Sequence, residues 1–191
     1  HRYMKAYVGI PAAGFVIVPL NTRHADPELD YTLRDGGVRF LLADRDPGKL
    51  ADSVETVIMM PNEYEAGLAS AEPMELGVGI DENSLSGLFY SGGTTGASKG
   101  VMLSHRNLVA NCQNYMMLAP PAWHDVHLFI APLFHAAGSN NILGCIWEAQ
   151  TGIIQAAFEP KSALDLIERY QVTSTLGVPA MVAAMTEEQL E

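Results

Sequence analysis

The sequence predicts an α/β fold, a mostly parallel sheet flanked by helices, and three observations support it. Short β-branched and aromatic runs alternate with helical stretches along the whole chain, helix start and stop residues fall between them, and no internal repeat interrupts the order. With 191 residues the chain is long enough for one domain of ordinary size with a substantial core.

In order, Arg2 to Ile10 is patterned as a helix, and Phe15 to Val18 is a β-rich run ended by Pro19. Asp26 is placed to cap a helix with Pro27 at its first position, and Gly36 to end it. Val38 to Ala43 and Val54 to Met60 are strand candidates, Asn62 to Ala71 a helix, and Glu72 to Ser84 a connection. Two apolar runs follow, Leu85 to Tyr90 and Val101 to Leu103, with a glycine-rich stretch between them. Ser104 is a good N-cap for a helix reaching about Met117, with Leu103 and Leu108 spaced as a hydrophobic staple. Met116 and Met117 are expected to pack against the sheet. Val126 to Ile130 is a buried strand, Pro132 to His135 a turn, and an apolar helix runs on to about Ala149. Gly152 to Ala156 and Thr173 to Val178 are strands around a helix from Ser162 to Tyr170, and Pro179 opens a last helix. In such a sheet ligands sit beyond the carboxyl ends of the strands.

Hydrophobic residues make up 48% and charged residues 17%, a globular balance that argues against disorder. Eleven basic against 22 acidic residues give a formal charge of −11, which argues against nucleic acid or an anionic membrane as the main partner. No Lys or Arg lies between Lys49 and Lys99, whereas Asp52, Glu55, Glu63, Glu65, Glu72, Glu75, Asp81 and Glu82 do; most read as a solvated acidic face. That field repels an anionic nucleotide at long range, so phosphate binding needs short-range donors and a divalent cation. Cys112 and Cys145 form no C-x-x-C and sit in apolar helical contexts, as core residues of a reduced compartment would, and the expected location is cytoplasmic. The longest apolar run, Val8 to Leu20, is broken by Pro11 and Gly14 and is too short to span a bilayer.

The chemistry concentrates in Tyr90 to Gly100, Y-S-G-G-T-T-G-A-S-K-G. Gly92, Gly93 and Gly96 remove bulk where backbone N–H groups would approach an anion, Ser91, Thr94, Thr95 and Ser98 add hydroxyl donors, and Lys99 adds charge. A glycine- and serine-rich stretch between strands is ordinarily a hairpin loop. Four hydroxyls and a terminal lysine point instead to a phosphate grip. It is not a Walker A loop, since Lys99 lies between Ser98 and Gly100, nor a nucleophile elbow, since Phe89 stands two before Ser91.

These residues resemble the hallmark of the AMP-forming adenylating enzymes, Y-[ST]-S-G-T-T-G-x-P-K-G-V followed by S-H-x-N; here the chain reads Y-S-G-G-T-T-G-A-S-K-G-V-M-L-S-H-R-N. Gly92 replaces a small hydroxyl residue and Ser98 a proline. Ala12 to Arg23, Leu29 to Leu41, Pro132 to Gly138 (P-L-F-H-A-A-G) and Gly177-Val178-Pro179 resemble further family segments in the same order. The resemblance implies that the chain is part of the large N-terminal domain of an acyl-adenylating enzyme: residues 1–191 as a partial AMP-binding domain with its phosphate loop at 90–100 and the mobile C-terminal domain absent.

For function, the resemblance implies that Ser91, Gly92, Gly93, Thr94, Thr95, Gly96 and Lys99 bind the phosphates of ATP while a carboxylate attacks the α-phosphorus. The products are an acyl-adenylate and pyrophosphate, and CoA then takes the acyl group. Donors placed where charge develops on the leaving group would accelerate that step. A hydroxyl of Thr94 or Thr95 would touch Mg²⁺, with Thr94 the assigned ligand, and His135 would line the acid pocket rather than act as an acid or base. A packed core position is the competing account of His135. His124-Asp125-x-His127 lacks a second ligand pair and reads as a turn before a strand, not a metal site.

No Y-G-x-T-E, ribose-binding Asp or C-terminal catalytic Lys is recognisable, so no catalytic residue is assigned within the chain, and these residues alone are expected to bind nucleotide weakly without completing adenylation. The favoured parent activity is an acyl-CoA synthetase acting on a fatty or other carboxylic acid, with ATP, Mg²⁺ and CoA; homo-oligomerisation is compatible with it. The alternatives are an amino-acid adenylation domain of a peptide synthetase, against which apolar Ala136, Ala137 and Ile142 argue, and a non-catalytic nucleotide-binding module of the same fold.

Overall fold

The computed structural model describes residues 1–73, 79–92, 97–118 and 125–190. Helix α1 (Arg2–Ala12) is followed by a single parallel bridge between Ile17 and Gly87, made by Ile17 N–H to the Ser86 carbonyl at 3.0 Å and Leu88 N–H to the Ile17 carbonyl at 2.9 Å. The β-rich run Phe15 to Val18 is thus one bridge long, because Pro19 removes the next donor.

Helix α2 (Asp26–Asp35) starts at the expected cap residue, one position early. Ala25 is the N-cap, its N–H donating to Glu28 Oε2 at 3.0 Å, and Pro27 lies inside the first turn. Strands β1 (Phe40–Ala43) and β2 (Thr56–Met59) pair in parallel, joined through a 3₁₀ turn at Gly48–Ser53 that the sequence left unassigned. Leu29, Leu33, Leu41 and Leu50 close this unit into a core. Helix α3 (Asn62–Ser70) buries no residue.

Strands β3 (Leu85–Ser91) and β4 (Lys99–Ser104) form an antiparallel hairpin, with Tyr90 opposite Gly100 and Ser91 opposite Lys99. Helix α4 (His105–Leu118) is capped as expected: Ser104 Oγ accepts from Asn107 N–H at 3.2 Å while Asn107 Oδ1 accepts from Ser104 N–H at 3.0 Å, a reciprocal box with Asn in the Glu position. Met117 is 82% exposed and does not pack against the sheet; Met116 is half-buried beside the Cys112 sulfur.

The last unit is a three-stranded parallel sheet in the order β6-β5-β7, from β5 (Val126–Phe129), β6 (Thr151–Ile154) and β7 (Ser174–Thr175). Helices α5 (Ala136–Trp147), α6 (Pro160–Tyr170) and α7 (Pro179–Leu190) complete it. The expected strand Thr173 to Val178 shrinks to two residues because Gly177 and Pro179 end the pairing. Helix α6 starts two residues earlier than expected, capped by Glu159, which accepts from Ser162 N–H at 2.6 Å and Lys161 N–H at 3.0 Å.

Strand and helix alternation is therefore as expected, but pairing among the described residues falls into three small sheets, one of them an antiparallel hairpin. They are joined through side chains. Tyr7 of α1, Ile17, Phe89 of β3, Phe129 of β5, and Ile142 and Cys145 of α5 form one buried cluster that ties the hairpin to the parallel sheet. Leu128, Ile130 and Ala163 form another, with Met181 and Met185 of α7 against it. Cys112 and Cys145 are buried and unbridged, and burial pushes both thiols up from their ordinary range. No helix among the described residues is long and apolar enough to cross a membrane.

Candidate functional site

The β3–β4 hairpin fixes the two ends of the glycine-rich stretch. Its last rungs put Ser91 against Lys99, with Ser91 Oγ 3.5 Å from the Lys99 carbonyl. Ser91, Gly92 and Lys99 are exposed, and Lys99 makes no ion pair among the described residues. A Cβ built on Gly92 meets nothing within 4 Å. Gly93, Thr94, Thr95 and Gly96 lie outside the described residues, as does His124. The two feet therefore present a hydroxyl, an unobstructed backbone and an ammonium on one side of the hairpin, a donor set suited to an anion.

Sequence reasoning did not find what holds these feet. Tyr90 directs its hydroxyl to Asp35 Oδ2 at 2.6 Å, and Tyr31, one turn before Asp35 on α2, donates its hydroxyl to the Ser98 carbonyl at 3.2 Å. The two rings meet edge to face, with centroids 6.4 Å apart and planes at 87°. Burial, and then the Asp35 carboxylate, pushes the Tyr90 phenol far above its ordinary range, so it remains a donor. The only signal in sequence was the i, i+4 spacing of Tyr31 and Asp35.

The second motif, Pro132 to Gly138, leaves the carboxyl end of β5 and turns into α5. His135 is the N-cap of α5; its Nδ1 accepts from Ala137 N–H at 3.3 Å and its side chain is exposed, so it is not a packed core residue. Gly138 allows the turn to fold onto the helix: a Cβ there would lie 2.3 Å from the Pro132 carbonyl oxygen. Ser139, fully buried, closes the turn by donating to the Leu133 carbonyl at 2.5 Å. At the opposite end of β5, His127 is buried, with Nδ1 2.9 Å from Ser174 Oγ, and burial holds its pKa below the ordinary value. It belongs to strand packing. Among the described residues no cluster of His, Cys, Asp or Glu could hold a metal ion.

The acidic stretch before the loop is partly neutralised. Arg39 grips Glu55 with two hydrogen bonds of 2.8 and 2.9 Å, Arg2 bonds Glu65 at 2.7 Å, and Arg106 approaches Glu82 at 3.9 Å. Glu63 accepts from the Met59 N–H at 2.7 Å, and Asp81 from the Asn83 N–H at 2.9 Å. Glu75 lies outside the described residues.

Known proteins similar to this chain include CoA ligases and synthetases. Feruloyl-CoA synthase of Amycolatopsis sp is 36% identical over 186 residues, covering 96% of this chain and 37% of that protein. The 3-methylmercaptopropionyl-CoA ligase of Ruegeria pomeroyi is 29% identical over 203 residues, covering 94% of this chain and 38% of that protein. Among solved structures, o-succinylbenzoate CoA synthetase of Bacillus subtilis, in complex with its acyl-adenylate intermediate, superposes with a TM-score of 0.87 at 26% identity, over 97% of this chain and 48% of that one. Fatty acyl CoA synthetase of Mycobacterium tuberculosis shares the fold, with a TM-score of 0.89 at 23% identity, over 100% of this chain and 39% of that one. The chain thus spans less than half the length of each of these relatives. The family model for AMP-binding enzymes matches residues 1–191, and the chain belongs to that family.

Proposed function

We propose that the protein carrying this chain is an AMP-forming acid–thiol ligase: it activates a carboxylic acid with ATP to an acyl-adenylate and then transfers the acyl group to CoA. The observation that carries this reading is the exposed foot of the hairpin, where Ser91 pairs with Lys99 beside an exposed Gly92 and Lys99 makes no ion pair among the described residues. In the reaction the carboxylate oxygen forms a bond to the α-phosphorus, and the bond from that phosphorus to the bridging oxygen of pyrophosphate breaks. Lys99 and the backbone of the loop receive the charge that develops on the departing pyrophosphate. Ser91, Gly93, Thr94, Thr95 and Gly96 complete the grip. His135, presented by the cap of α5 at the carboxyl end of β5, lines the site of the acid. When bound, Mg²⁺ would neutralise phosphate charge, with the Thr94 hydroxyl as its protein contact. CoA thiol then attacks the acyl carbon and AMP leaves. Residues 1–191 form part of the N-terminal, nucleotide-binding domain in this reading, and alone they do not complete adenylation.

Acid-dependent exchange of labelled pyrophosphate into ATP by the full-length protein tests it, with short, medium, long and aromatic acids including hydroxycinnamates, the acids named in related ligases. Exchange with one class of acid and at least a hundredfold loss in Lys99→Ala, about the effect of deleting a transition-state charge contact, are expected. A folded protein that binds ATP but exchanges with no acid would be a binding module instead.

A further inference from the structure

One face of α2 reaches both feet of the glycine-rich stretch. Tyr31 bonds the Ser98 carbonyl, directly before Lys99, and Asp35 bonds the Tyr90 hydroxyl, directly before Ser91. These contacts span 67 and 55 residues of sequence, so they are tertiary rather than incidental to the hairpin. The surroundings of Tyr90 are tight: a Cβ on Gly36, just past the end of α2, would lie 2.9 Å from the Thr32 carbonyl oxygen and 3.3 Å from the Tyr90 hydroxyl, and one on Gly100, the cross-strand partner, 2.8 Å from Leu88 and 3.2 Å from Tyr90 Cζ. Either added methyl would crowd the ring. Tyr31 packs edge-on against it, so both hydroxyls are oriented by one aromatic pair.

We propose that Tyr31 and Asp35 are positioning residues for the phosphate loop. They fasten its two feet to α2, so that Ser91 and Lys99 face the nucleotide in a fixed register. The inference rests on the reading of that loop as an ATP site. Neither residue touches the nucleotide; each acts through the backbone it anchors, and displacement of a charged group by a fraction of an ångström is costly where charge develops.

The test is a variant series in the full-length protein, read by pyrophosphate exchange, by equilibrium binding of labelled ATP and by melting temperature. Tyr31→Phe and Tyr90→Phe each keep a ring and lose one hydrogen bond. Each is expected to lower kcat/KM for ATP roughly five- to tenfold, the effect of one such bond, with KM for the acid unchanged and the melting temperature within about 3 °C. Asp35→Ala should match Tyr90→Phe, and the double variant should be no worse than either single, because the two share one bond. Asp35→Asn, which keeps an acceptor, should fall between wild type and Asp35→Ala. Additive losses in the Asp35/Tyr90 pair, a parallel rise in KM for the acid, or losses that follow the melting temperature would overturn the proposal. If wild type binds ATP but exchanges with no acid, the ligase reading fails and the latch is judged on ATP affinity, which should fall by the same factor. Unchanged affinity in the variants, or no ATP binding by wild type, overturns the latch.

Discussion

Two glycine-bearing turns carry the candidate site, and their glycines meet opposite surroundings. In Pro132–Gly138 the glycine faces protein: a methyl on Gly138 would stand 2.3 Å from the Pro132 carbonyl oxygen and 3.1 Å from Leu133 Cα, backbone atoms that cannot step aside. In the hairpin loop, Gly92 faces open space, and Gly100 is intermediate, 2.8 Å from the flexible end of Leu88. One turn needs its glycine to exist; the other needs it to leave room for something else. A glycine in a motif therefore does not reveal from sequence whether it serves packing or a ligand.

This contrast makes an ordered set of expectations, read by urea denaturation. Gly138→Ala should cost about 3 kcal/mol or more, at the upper end of overpacking effects, and disturb the His135 cap with it. Gly100→Ala should cost about 1 kcal/mol, since Leu88 can rotate away. Gly92→Ala should change stability by less than about 0.5 kcal/mol yet weaken ATP binding, which separates room for a ligand from room for a neighbour. A Gly138→Ala variant as stable as wild type would erase the distinction.

A smaller effect sharpens it at the far end of β5, where His127 is enclosed as Gly138 is. Its folded pKa lies below the unfolded value of about 6.5, because burial penalises the charged form. The unfolded chain therefore binds the extra proton first. Stability from this residue is complete above about pH 6.5 and is lost as pH falls below it. His127→Asn should flatten the decline in melting temperature between pH 7.5 and 5.5, and an unchanged slope would mean that His127 is not the titrating group.

Much of this was legible where cause and effect are close in sequence. The Ser104 cap, the helix after Pro179, the buried cysteines and the strands flanking the loop all follow from patterns within a few residues. The family hallmark marked Ser91 to Lys99 and His135 as candidates in the same way. What escaped depends on distant partners. Nothing near Ile17 reveals that Gly87 is the partner it bridges, nothing near Tyr31 reveals that Ser98 lies above it, and Met117 follows a helical pattern onto a face that nothing among the described residues covers. The His135 side chain could be placed at a strand end but not oriented; its capping bond to Ala137 depends on the turn that Gly138 permits.

The hairpin has one more consequence, for the order in which the chain assembles. Ser91 and Lys99 pair across eight positions, whereas Val126 and Thr173 must meet across 47 to seat β7. Closing the longer loop costs about 1.5 kcal/mol more in chain entropy, and distant pairings form late in folding. The scaffold of the phosphate grip is thus expected to be an early, locally encoded piece onto which the parallel sheet condenses. Pulse-labelled hydrogen exchange during refolding should protect the Phe89 amide, opposite Val101 in the hairpin, before that of Thr173; the reverse order would show that the grip is shaped by the sheet rather than ahead of it.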